Sequence, residues 1–134
     1  LSECPPDTVL FCVDTWNGTS GDVTYELARR FGAAKIFRAF CRNVGDRLFH
    51  TVMPLVGPSL QWAEAFSRKA DLIFIDANHD YEAVRKDIAA WERHVGHGGI
   101  ICGHDYGGFE GVTRAVDEGP AFKKAGRCVW WRQV

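Results

Sequence analysis

The segment Asp71-Leu-Ile-Phe-Ile-Asp76-Ala-Asn-His79-Asp-Tyr81 constrains this chain more than any other. An apolar run bounded by acids reads as a strand buried on both faces, the kind that sits inside a parallel sheet. Such a sheet presents its chemistry just beyond the carboxyl ends of its strands. Here that edge carries the carboxylate of Asp76, the imidazole of His79 and the phenol of Tyr81. Further on, Gly98-Gly-Ile-Ile-Cys-Gly-His104-Asp105-Tyr106 repeats the design, an apolar strand that ends in His-Asp-Tyr. Two neighbouring strands that deliver Asp and His to one edge predict a site.

The rest of the chain alternates strands with helices. Val9–Val13 reads as a buried strand ending in Asp14, followed by a loop at Asn17–Gly21. Ser20 or Asp22 is placed to cap a helix with Val23, Leu27 and Phe31 on one face, stopped by Gly32. A second helix carries Ile36, Phe40 and Val44. Phe49–Leu55 reads as a strand whose end is weakened by Pro54, and Ser59 opens a helix with Ala63 and Phe66 facing inward. Tyr81, Val84, Ile88, Trp91 and Val95 recur at helical spacing up to Gly96. Val112, Ala115 and Val116 mark another helix, and Arg127–Arg132 closes the chain as a strand. This alternation predicts an α/β sheet with helices on both faces. No repeat, low-complexity segment or linker divides the 134 residues, so a single domain is expected over 1–134.

Composition narrows the partners. The formal net charge of −1 offers no overall electrostatic footprint for nucleic acid or an anionic membrane. No apolar run approaches the roughly 20 residues that span a bilayer. The five cysteines are odd in number and form no Cys-x-x-Cys motif. A reduced, cytoplasmic protein is therefore expected, and Asn17-Gly-Thr19 is a chance match to the glycosylation pattern.

The stretch from Asp71 to Glu118 resembles the second half of the class I S-adenosylmethionine-dependent methyltransferases. It is nearest to the branch of small-molecule and sugar O-methyltransferases and cephalosporin-hydroxylase-like proteins. The features that carry the likeness are Asp76-x-x-His79-x-Tyr81-Glu-x-Val84, Asp87-Ile, Trp91, Gly98-Gly-Ile-Ile, His104-Asp105-Tyr106, Gly111-Val112 and Ala115-Val-Asp117-Glu118. Weaker echoes reach back through Val13-Asp14-Thr-Trp16 and Pro54-Leu-Val-Gly57-Pro-Ser59. The resemblance implies a three-layer, Rossmann-like methyltransferase fold with a mostly parallel sheet.

It also implies roles. Asp14 falls where the family holds the ribose hydroxyls of its cofactor, and a carboxylate suits a vicinal diol because it accepts two hydrogen bonds; the competing role is a loop cap. Trp16 is placed to pack on the adenosine or to shield the sheet edge, and Ser59 to contact adenine, to cap its helix, or both. Asp76 and Ala77 complete the implied cofactor contacts at the end of the central strand. Asp76, His104 and Asp105 fall where the metal-dependent members place three ligands to a divalent ion that positions the substrate oxygen and lowers its pKa. His104 departs from the usual oxygen ligand and favours manganese, iron or zinc over magnesium; the competing role of His104 and Asp105 is to bond loop backbone. His79 matches the catalytic base, since a free imidazole titrates near pH 6.5, or it ties the strand end to the next helix. His50, His94 and His97 are expected at the surface or in turns. The His79-Asp80 and His104-Asp105 dyads superficially match HD-type phosphohydrolases, but those lie in all-helical domains.

One part of the family pattern is missing. Only thirteen residues precede Asp14, where the family has a further strand, a glycine-rich turn that approaches the methionine moiety, and a helix. An N-terminally truncated fold is therefore expected. Its open edge would be met by pairing Val9–Val13 with Leu72–Ile75 or by a second copy in a homo-oligomer. The resemblance implies methyl transfer from S-adenosylmethionine to a hydroxyl of a small-molecule acceptor, with Asp76 and His79 catalytic and a divalent metal, Mg or Mn, assisting. The rival readings are a non-catalytic binding or oligomerisation module and a metal enzyme that has dropped the cofactor.

Overall fold

Strands β1 (Leu10–Asp14) and β2 (Val52–Val56) run parallel, in register from Leu10 opposite Val52 to Asp14 opposite Val56. Helices α1 (Val23–Phe31) and α2 (Ala33–Val44) connect them, followed by a short 3-10 turn at Gly45–Arg47. The computed structural model describes residues 4–19 and 23–134, so the cap candidates Ser20 and Asp22 lie outside the described residues. The chain divides into two compact units, Leu1–Trp62 and Ala63–Val134.

Within the first unit, Pro54 stands inside β2 opposite Cys12 instead of ending the strand. Among the named strands β2 pairs with β1 alone, and an edge strand tolerates a missing N–H. The ladder starts at Val52, later than expected, because Phe49 takes a left-handed conformation (φ 60°) in the preceding turn. Helix α3 (Ser59–Ala65) runs through the boundary between the units, with Ala63 fully buried. Phe66 falls just beyond α3 and packs against Trp91, with ring centroids 5.6 Å apart.

The second unit is a four-stranded sheet in the order β3 (Ala70–Ile75), β4 (Val95–Gly103), β6 (Val129–Gln133), β5 (Lys123–Ala125). β3 and β4 are parallel and joined by α4 (Tyr81–Glu92), as a parallel pair requires. Helix α5 (Glu110–Asp117) leads into the antiparallel β5–β6 hairpin. Val84 and Ile88 of α4, Val112 and Val116 of α5, Ile101 of β4 and Trp130 of β6 form the core. Trp130 is 1% exposed and Ile101 not at all.

Two expectations are corrected here. Helix α4 stops at Glu92, and Val95, which continues the helical spacing, belongs to β4 instead. The Ala70 N–H donates to the His94 carbonyl at 2.8 Å and Ala70 pairs with Val95, so strand pairing outcompetes the helical pattern. His94 is part-buried, with Nε2 2.7 Å from the Ala63 carbonyl. Nor is β3 buried on both faces: Ile73 and Ile75 pack on the core, while Leu72 and Phe74 are 58% and 51% exposed. The ladder of β3 is with β4 and that of β1 with β2. Among the described residues no helix is long and apolar enough to cross a membrane.

Candidate active site

The sheet of the second unit builds a site where β3 and β4 end. The His104 N–H donates to the Ile75 carbonyl at 3.1 Å, which sets Asp76 beside His104 and Asp105. Gly103 permits this closeness, since a Cβ there would lie 2.3 Å from the Trp130 ring and 2.5 Å from the Ile75 carbonyl. After Asp76, Asn78 Oδ1 accepts the Asp80 N–H at 2.7 Å, a side-chain turn of the kind Asn favours, and α4 begins. On the other side, Asp105 adopts φ 65°, a region uncommon for a non-glycine residue. Its carbonyl accepts the Gly108 and Phe109 N–H groups at 3.1 and 3.2 Å, closing the turn into α5.

Asp105 is the hub. Its Oδ2 lies 2.9 Å from His79 Nε2 and its Oδ1 lies 3.0 Å from His104 Nδ1. A carboxylate only accepts, so each facing ring nitrogen carries the proton. In neutral rings this leaves lone pairs on Nδ1 of His79 and Nε2 of His104. Asp76 lies beside Asp105, and its carboxyl is raised above the usual range, first by partial burial and then by the Asp105 charge, with His104 and His79 pulling the other way. A cation there would relieve both effects. Asp76, His79 and Asp105 each offer one donor atom, all within 4.8 Å of one another, a spacing one ion can bridge. The set implied by resemblance has His104 where this group has His79; the His104 ring faces Asp105 and Cys128 instead. Ala77 lies exposed in the loop between Asp76 and Asn78, beside the same hollow.

The remaining expected residues belong to the first unit. Asp14 closes β1, exposed, with Oδ1 accepting the Trp16 N–H at 2.7 Å. The Trp16 ring packs on Phe37 and Phe40 of α2, with centroids 5.3 and 4.5 Å away. Its buried Nε1 has no hydrogen-bond partner among the described residues. Ser59 is the first residue of α3. Three contributors carried no sequence signal: Phe109, which stacks on His79; Trp130, whose Nε1–H donates to the His104 carbonyl at 3.1 Å; and Cys128, whose Sγ lies 2.9 Å from His104 Nε2. The last two arrive from the closing hairpin, far from the motif.

Residues 2–106 match a family model described as a methyltransferase domain. The chain belongs to that methyltransferase family. The matched span holds Asp14, Ser59, Asp76, His79, His104 and Asp105, and ends short of Cys128. Among solved structures, this methyltransferase-family chain is similar to the O-methyltransferase NovP, with 21% identity and a TM-score of 0.66 over 95% of this chain and 60% of NovP. It is also similar to cofactor-bound Rv0187 from MTB, with 19% identity and a TM-score of 0.57 over 93% of this chain and 71% of that one. The MycE methyltransferase of the mycinamycin pathway, solved with Mg and SAH, matches at 11% identity and a TM-score of 0.53, over 96% of this chain and 45% of MycE. At these identities the likeness is one of fold, a Rossmann-like α/β methyltransferase architecture. The chain spans about 60% of the length of NovP. No curated protein sequence matches it.

Proposed function

We propose that this chain transfers the methyl group of S-adenosylmethionine to a hydroxyl of a small-molecule acceptor. The observation that carries the reading is the His79–Asp105 pair at 2.9 Å, set at the carboxyl ends of two parallel strands beside Asp76. S-Adenosylmethionine would supply a sulfonium-activated methyl group. In the first unit Asp14, exposed at the end of β1, suits the ribose hydroxyls, with the orphaned Trp16 Nε1 beside it and Ser59 as further candidates for cofactor contacts; in the second unit the candidates are Asp76 and Ala77.

In this reading Asp105 holds the His79 ring through Nε2–H, and His79 accepts the acceptor hydroxyl proton at Nδ1. The Asp105 charge stabilises the imidazolium that results. Fixing the acceptor oxygen against the methyl group is chiefly a matter of proximity and orientation. Asp76 and Asp105 with one histidine would hold a divalent cation, which would favour the ionised acceptor hydroxyl; were that histidine His79, it would serve as ligand and not as base.

Calorimetric titration with S-adenosylhomocysteine, combined with labelled methyl transfer to a panel of hydroxylated acceptors, tests the proposal. Binding, and turnover lost in His79→Ala with the fold retained, is the expected result. An absence of heat at millimolar ligand together with no labelled product would overturn it.

A further inference from the structure

Cys128 and His104 take part in no step assigned above, yet they extend the line of contacts that ends on His79. Cys128 Sγ lies 2.9 Å from His104 Nε2, His104 Nδ1 lies 3.0 Å from Asp105 Oδ1, and Asp105 Oδ2 lies 2.9 Å from His79 Nε2. The proton directions agree along the whole line. Asp105 accepts from Nδ1–H of His104, which leaves Nε2 with a lone pair, and the Cys128 thiol donates to it.

The terminal torsions of both Asp105 and His104 are broad and nearly two-fold, so neither ring nor carboxylate selects one orientation alone. A half-turn of the His104 ring would put carbon where each nitrogen now stands and would lose both bonds. The Asp105 and thiol contacts together select the present orientation, and the thiol is the one the closing hairpin supplies. Two contacts tie the hairpin to this turn: the Tyr106 N–H donates to the Cys128 carbonyl at 3.0 Å, and the Trp130 side chain donates Nε1–H to the His104 carbonyl at 3.1 Å. Cys128, just before β6, and Trp130 within it thus grip the β4–α5 turn on both sides of Asp105.

We infer that Cys128 is a positioning residue for the methyl transfer: its thiol fixes His104, His104 fixes Asp105, and Asp105 fixes the tautomer of His79 and its rotation within the ring plane. The inference rests on the function proposed above, but its test does not depend on turnover alone. Long-range proton–nitrogen spectra of the imidazoles report tautomers directly, in chelator-treated protein at one pH. Wild-type protein is expected to show His79 protonated at Nε2 and His104 at Nδ1. Cys128→Val is expected to displace both sets of signals, while Cys128→Ser, which keeps a donor, restores them and Cys41→Val changes neither. Turnover in Cys128→Val is expected to fall about tenfold in kcat, a part of the roughly 10²–10⁴-fold that a positioned base supplies, with acceptor KM and S-adenosylhomocysteine affinity unchanged. Cys128→Ala gives the same comparison should valine disturb β6.

Unmoved His79 signals in the valine and alanine variants, or an equal loss in the serine variant, would overturn the relay. Failure of wild-type protein to bind S-adenosylhomocysteine or to turn over would overturn the proposed function instead, and the imidazole spectra would still decide whether the thiol positions His79.

Discussion

His79 and Phe109 lie face to face, with ring centroids 3.9 Å apart and planes inclined by 18°. Phe109 precedes α5, and its N–H is held by the Asp105 carbonyl at 3.2 Å. Asp105 therefore grips the imidazole twice, directly through Oδ2 at 2.9 Å and indirectly through the ring stacked on it. The stack fixes the plane of His79, and the carboxylate fixes its rotation within that plane.

Replacing Phe109 by alanine removes the first constraint alone. Phe109 is 44% exposed, so the loss of folding stability should be small, about 0.5–1.5 kcal/mol as for other aromatic pairs. Turnover should fall more than stability suggests, by about tenfold in kcat, because His79 Nδ1 loses its aim. Urea unfolding and steady-state kinetics on Phe109→Ala and Phe109→Tyr separate the two effects, with tyrosine keeping most of the activity.

Gly111 in the first turn of α5 makes a second, sterically strict prediction. A Cβ at this position would stand 2.3 Å from the His79 carbonyl and 2.7 Å from the Tyr81 nitrogen, both backbone atoms. Gly111→Ala must push α5 away from the start of α4, at a cost of about 1–3 kcal/mol typical of overpacking. The chemical denaturation midpoint should fall accordingly. A variant as stable as wild type would mean that the helices do not approach this closely.

These two residues show what the sequence could and could not disclose. The convergence of Asp76, His79, His104 and Asp105 on one sheet edge was legible because strand ends are local: an apolar run followed by polar groups states its own position. The α/β alternation was legible for the same reason. Phe109, Cys128 and Trp130 were not, because their roles come from the turn after β4 and the closing hairpin folding back on it, a tertiary event with no local periodicity. β5 (Lys123–Ala125) is exposed throughout, so it lacks the alternation that marks a strand. Val95 misled for the opposite reason. It kept helical spacing while the pairing of Ala70 with it drew the chain into β4.

Asp76 yields a pH-dependent prediction whose sign follows from its environment. Burial and the Asp105 charge raise its carboxyl above 3.8 in the folded state. The folded chain therefore holds this proton more tightly than the unfolded chain. Stability contributed by the group is complete below the unfolded pKa and is lost as pH rises through the raised folded value. In chelator, Asp76→Asn should be more stable than wild type at neutral pH, and the difference should vanish as pH falls below about 3.8. The gain should be modest, because the group is partly solvated. Thermal denaturation of both proteins between acid and neutral pH checks this, and a gap that widens toward acid would contradict it.

Metal binding decides between the two histidines. Asp76 and Asp105 are common to both candidate donor sets, and among the described residues it is His79 that groups with them, with donor atoms all within 4.8 Å. His104 has one ring nitrogen on Asp105 and the other on Cys128. An imidazole ligand favours Mn2+ over Mg2+, which prefers an all-oxygen shell and retains its waters. A ligand that binds only the folded state stabilises it by about 2.7 kcal/mol at a hundredfold excess over Kd, enough to read as a thermal shift of several degrees. Mn2+ added to metal-free protein should therefore raise the melting temperature more than Mg2+ at equal concentration. The shift should disappear in Asp76→Ala and His79→Ala and survive in His104→Ala. A shift lost in His104→Ala but kept in His79→Ala would transfer the third donor to His104, and the Cys128 contact would then have to open for the ion to bind.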